Sequence, residues 1–138
     1  MPTVVPMLAY EEGPAAMDWL VRAFGFVERE RWLDDAGALS HGELAVGTDG
    51  LIMLATPTPM YEGPARHREH CAEAAAWSQV PYVIDGVLVE VADLDAHLAR
   101  ARAAGARILS EPQAIEGTGF RQYRAEDLEG HRWMFSGR

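Results

Sequence analysis

The chain has 138 residues, 49% of them apolar, which suits one ordinary domain or two half-domains sharing a core. Its net charge of -9 excludes a nucleic-acid partner, whose phosphates require clustered Lys and Arg, and admits a cationic ligand, although such charge also serves solubility. A lone cysteine, Cys71, excludes an internal disulfide and suits a reducing cytoplasm. No basic segment followed by an apolar run marks a secretory leader, and no apolar stretch nears the roughly 20 residues that span a bilayer, so a cytoplasmic protein is expected, without a membrane partner.

Residues 3–10 are apolar and predict a strand, with Pro6 favouring an edge or a bulge. Gly13-Pro14 opens a helix, whose buried stripe is Ala15, Ala16, Trp19, Leu20, Ala23 and Phe24 and whose stop is Gly25. Residues 26–33 alternate weakly and predict a second strand, ended by the turn Asp34-Asp35-Ala36-Gly37. Residues 39–46 and 51–55 predict two more strands around the turn Thr48-Asp49-Gly50. Residues 57–81 form a long connection, in which the alanines of 64–77 predict one helix. A strand then spans 82–91, and Asp93 caps a helix with Leu94, Leu98, Ala101 and Ala104 buried and Gly105 as its stop. Strands at 107–109 (ended by Pro112), 120–125 and 131–136 complete the chain.

The second half repeats the first in order, β-α-β-β-β. At an offset of 80, Leu8 matches Leu88, Arg22 matches Arg102, Ala23 matches Ala103, and Gly25, Gly37 and Gly50 match Gly105, Gly117 and Gly130. The predicted division is a single domain over 1–138, with module one at 1–56, a linker region at 57–81 and module two at 82–138.

The segments Ala23-Phe24-Gly25-Phe26, Val91-Ala92-Asp93-Leu94-Asp95, Ala103-Ala104-Gly105-Ala106 and Asp127-Leu128-Glu129-Gly130-His131-Arg132-Trp133 carry a family likeness. Over nearly its whole length the chain resembles the vicinal oxygen chelate superfamily, the group of glyoxalase I, bleomycin-resistance proteins and extradiol dioxygenases. The resemblance implies an α+β fold of two paired βαβββ modules forming a curved, partly closed mixed sheet around a cavity, and a homodimer. Metal-using members hold a divalent ion with four His, Gln or Glu side chains from the first and last strands of each module. Carried across, those positions fall near Val5, near Asp85 or Gly86, and on Leu54 and Met134; a shift of one residue gives Met53 and Trp133. Apart from Asp85 none suits a hard or borderline ion, so neither a metal nor another cofactor is expected.

His41 and Glu43 alternate onto one face of the third strand, with Arg121 and Tyr123 as their offset-80 counterparts. All four are expected to line the shared cavity, where a base, a carboxylate, a cation and a phenol would orient a polar ligand; His41 and Glu43 are also the candidates for acid–base catalysis. The plain alternative is a solvated strand face. Trp32 lies on a polar strand and is a candidate for stacking on a ligand or subunit, whereas Trp133 is expected in the core. Glu90 interrupts an apolar strand and either faces the cavity or pairs with an arginine. His67, His70 and Cys71 share one face of the predicted linker helix, as an inert half-buried face, a lid over the cavity, or an incomplete metal site.

Two functions compete. The first is a metal-independent protein that binds a small molecule, sequestering a cationic or polar ligand as bleomycin-resistance proteins do. The alternative is a glyoxalase-like lyase or isomerase, or a dioxygenase, acting on a small metabolite; a purely structural or regulatory dimer ranks behind both.

Overall fold

The computed structural model describes residues 1–80 and 85–138. Module one contains β1 (Met7–Ala9), α1 (Gly13–Phe24), β2 (Val27–Leu33), β3 (Leu39–Val46) and β4 (Gly50–Ala55). The linker carries α2 (Pro64–His67) and α3 (Ala72–Trp77). Module two contains β5 (Gly86–Glu90), α4 (Leu94–Ala103), β6 (Arg107–Ala114), β7 (Arg121–Glu126) and β8 (Arg132–Gly137). Each module folds into a four-stranded mixed sheet, ordered β1-β4-β3-β2 and β5-β8-β7-β6, whose first and last strands run parallel. The two βαβββ modules expected from the sequence are present.

Helices α1 and α4 each cover one face of their own module's sheet. In α1 the residues Ala16, Met17, Trp19, Leu20, Ala23 and Phe24 are buried, while Ala15 is exposed, so the stripe is rotated by one position from the expected one. Gly25 ends the helix in the left-handed region (φ 74°), which glycine adopts without a Cβ clash. The Asp93 carboxylate accepts from the Ala96 amide and caps α4.

The helices then pack on each other and join the modules. Phe24 reaches into module two, its ring 4.7 Å from Phe135 and 5.6 Å from Trp133. Trp19 Nε1 donates to the Ala104 carbonyl (2.9 Å), and Arg100 of α4 donates to the Arg22 and Val21 carbonyls at the end of α1. Trp133 is 1% exposed, the core residue expected from its strand.

Three elements differ from the sequence reading, and one is described only in part. The first strand is only three residues long. The sixth runs through Pro112 to Ala114, because it is a sheet edge and its pairing is irregular between Ser110 and Gln113, where a missing N–H does no harm. The fifth is described from Gly86 onward; Tyr82 and the rest of 81–84 lie outside the described residues. The predicted single linker helix is two short ones, interrupted at residues 68–71, with Cys71 at the N-cap of α3.

Candidate functional site

The face of each sheet turned away from its helix is here called the outward face. Gly42, Leu44, Ile52 and Leu54 lie on the helix side of module one: a Cβ on Gly42 would lie 2.7 Å from Met17 Sδ, and the other three belong to the core. Alternation therefore places His41, Glu43 and Met53 on the outward face, with Met7 and Trp32, their neighbours in register. There His41 Nε2 and Glu43 Oε1 are 3.2 Å apart, and the Trp32 ring lies 4.9 Å from the His41 ring. Trp32 is 59% exposed, and its Nε1 donates to Glu30. Trp32, His41 and Glu43 form one half-open group with an exposed indole, an imidazole and a carboxylate.

Arg121 and Tyr123 do not join that group, which corrects the shared lining expected above. Both point to the helix side of module two. Tyr123 is fully buried and its hydroxyl lies 2.6 Å from His97 Nδ1 on α4, while Arg121 forms a two-bond ion pair with Asp95 at 3.0–3.1 Å. The cause is register. Gly42 pairs with Leu54 and Tyr123 pairs with Phe135, so matching the helix-facing pairs Ile52, Leu54 to Trp133, Phe135 needs an offset of 81, not 80. A slip of one residue exchanges the faces of a strand. The counterparts of His41 and Glu43 are Gln122 and Arg124, which the sequence reading missed. The signal was available: a buried Trp133 on β8, with antiparallel pairing, already sends Ala125 and Tyr123 inward.

On the outward face of module two, Glu126 is 1% exposed and meets three arginines: Arg68 from the linker (two bonds of 2.9 Å), Arg132 (3.0 Å) and Arg107 (3.4 Å). Burial works to raise the Glu126 carboxyl, but the hydrogen bonds and charge of Arg68, with Arg132 and Arg107, outweigh it and hold it below the usual range. Arg132 also donates to the Ser78 and Val80 carbonyls. The linker is thereby strapped across this end of module two. His67 and His70 meet edge to face (5.7 Å), and His70 pairs with Glu62 (2.8 Å), outside the group around Trp32. Glu90 is exposed and lines a groove of about 790 Å³ between residues 46–52 of module one and 87–92 of module two.

The family's ion does not fit the residues at the carried positions. Leu54 points into the core, Gly86 has no side chain, and Met134 beside Leu88 offers thioether and alkyl groups where a hard divalent ion needs oxygen or imidazole. Among the described residues no three His, Cys, Asp or Glu side chains converge to hold one.

A sequence model of the Glyoxalase/Bleomycin resistance protein/Dioxygenase superfamily matches residues 4–135. No curated protein matches the chain significantly. Among solved structures, TioX from Micromonospora sp. ML1 is 34% identical, with a TM-score of 0.70 over 99% of this chain and 96% of that one. A glyoxalase/bleomycin resistance protein from Streptomyces sp. CB03234 is 19% identical, with a TM-score of 0.65 over 95% and 96%. TnmS3, an antibiotic binding protein from the same Streptomyces, is also 19% identical, with a TM-score of 0.61 over 99% and 96%. The chain belongs to the Glyoxalase/Bleomycin resistance protein/Dioxygenase superfamily.

Proposed function

We propose that the protein binds a small molecule on the outward faces of its sheets without a metal ion, holding a cationic or polar ligand rather than transforming it. The observation that carries this reading is the Trp32, His41 and Glu43 group: a stacking surface, a donor or acceptor, and a carboxylate, all reachable from solvent. Glu90 adds a second exposed carboxylate at the groove between the modules, and the net charge of -9 favours a cation. Arg121 and Tyr123, engaged on the helix side, act here through the frame that holds the faces. TnmS3 is described as an antibiotic binding protein; at 19% identity that likeness speaks for the fold, and the ligand reading rests on the residues. A second copy of the chain completing the site, as a homodimer, belongs to the same proposal.

A thermal-shift screen of cationic glycopeptides and polar metabolites tests it. Hits are expected, and each should lose tenfold or more in affinity in Trp32→Ala and in Glu43→Gln, about 1.4 kcal/mol. A screen without hits, or hits indifferent to both substitutions, sinks the reading. The 3.2 Å contact between His41 and Glu43 supports one second reading, a lyase or isomerase in which Glu43 orients His41 as a base. That enzyme requires turnover lost in His41→Ala while ligand binding persists. A stoichiometric metal in purified protein whose removal abolished turnover would favour the metal-dependent branch, dioxygenase included.

A further inference from the structure

Three rings of the linker that the core does not use lie around one cleft. Tyr61, His67 and Trp77 line a cleft of about 240 Å³ together with Ala74, Glu62 and Arg68. Trp77 is 58% exposed and has no ring partner among the described residues. The His67 ring touches only the edge of His70, and its nitrogens carry no hydrogen bond among the described residues.

The walls of this cleft are fixed. The Tyr61 hydroxyl donates to the Ala9 carbonyl (3.1 Å), which orients its ring. Arg68 is held by both Glu126 oxygens. The amides of Gly63 and Ala65 donate to the Glu11 carboxylate (3.0 Å) and the Glu129 carbonyl (2.9 Å), fastening the start of α2 to both modules. The Glu62 carboxylate is held by His70 at 2.8 Å and by Arg66 at 3.5 Å.

Size and chemistry select an occupant. A volume of 240 Å³ falls below the roughly 300–1,000 Å³ of drug-sized pockets, so it admits a fused-ring fragment and not a peptide segment. Indole, phenol and imidazole faces favour stacking, and they favour a positive ring most. Both charges on the cleft wall are already partnered, Arg68 by the Glu126 carboxylate that it shares with Arg107 and Arg132, and Glu62 by His70 and Arg66, so the preference for a cation rests on the ring faces and the overall charge of -9. We propose that this cleft is a second small-molecule site, separate from the outward strand faces, which takes a planar cationic heteroaromatic group against Trp77, Tyr61 and His67.

The test uses the whole chain in a Trp32→Phe background, which removes the other exposed indole and leaves Trp77 as the accessible reporter beside buried Trp19 and Trp133. N-methylquinolinium is expected to quench its fluorescence saturably, and a quinoline carboxylate to bind at least tenfold more weakly. By calorimetry, N-methylquinolinium binding should fall at least tenfold in Trp77→Leu and persist in Trp77→Phe. No saturation, an isotherm unchanged by Trp77→Leu, or an anion bound as tightly as the cation overturns the proposal. So does a Trp77→Leu protein whose sedimentation changes while probe binding does not, which would make these rings a contact between copies.

Discussion

His97 is the half-buried titratable group whose state is easiest to argue. It stands where α4 meets α1, with Nε2 3.0 Å from the Phe24 carbonyl and Nδ1 2.6 Å from the Tyr123 hydroxyl. Those partners fix a neutral tautomer: Nε2–H donates to Phe24, and Nδ1 accepts from Tyr123. Burial pushes the imidazole below its ordinary value, the bond to Phe24 opposes this, and Arg100 adds to the lowering. Burial likewise raises the Tyr123 phenol, against Arg102, so it remains a donor. The folded protein therefore binds fewer protons than the unfolded chain between the lowered His97 value and the ordinary value of about 6.5. Stability from His97 is complete above that window and declines as pH falls through it. Melting temperatures from about pH 8 to pH 5 should fall more steeply for the native protein than for His97→Gln. Parallel curves would show that His97 does not titrate this way.

At the scale of elements, the linker is held by charge more than by apolar packing, since no residue of α2 or α3 is buried. Glu126 is the shared partner of three arginines, of which Arg132 is buried, so Glu126→Gln leaves that buried cation short of an anion and should cost about 3 kcal/mol in urea unfolding. Arg68→Ala removes a partly exposed partner and should cost about 1 kcal/mol. Both should speed amide exchange in residues 64–78 while leaving β3 and β4 protected; unchanged exchange there would mean that the strap is held by other contacts. Because the Glu126 carboxyl is held below its usual range, its contribution is present above ordinary carboxylate values and is lost as pH falls through the lowered one. The elements themselves were largely legible in sequence, from the αL stop at Gly25, the Asp93 cap and the apolar stripes of both helices. The facing of the second module was carried by the buried Trp133 and not by the matching glycines, which sit in turns, and turns do not carry strand register. Gly50 is the first residue of β4, whereas Gly130 sits inside the loop before β8 at φ 91°, with Ala65 N 2.6 Å from where a Cβ would stand. One residue of difference there moved Arg121 and Tyr123 from the predicted site to the frame, and hid Gln122 and Arg124.

The whole molecule is built around contacts that cross between the modules and leave open the outward face of module one and the part of module two's outward face around Leu88. Asp127 accepts from the Tyr10 hydroxyl (2.6 Å) and Trp133 Nε1 (3.0 Å), and Glu129 accepts from the amides of Glu11 and Glu12 at the start of α1. The turn before β8 thus anchors the first helix of the other module. Beyond this joint, Met7, Val27 and Trp32 of module one and Leu88 of module two are 78, 62, 59 and 63% exposed, all on outward faces. The edge strands β1 and β5 are unpaired on one side. Large apolar side chains exposed on sheet faces are a surface for association, and the second copy proposed above would meet it with identical chemistry in a closed two-fold arrangement. Sedimentation should therefore give twice the 15.2 kDa of one chain. Met7→Glu and Leu88→Glu, each placing a charge on one face, should shift the protein toward the single-chain mass with far-UV dichroism unchanged. Small-molecule binding should weaken in step if the partner's face completes the site around Trp32. A native protein that sediments as one chain at every concentration would end the homodimer reading, and one that dimerises with full affinity despite both glutamates would place the contact elsewhere.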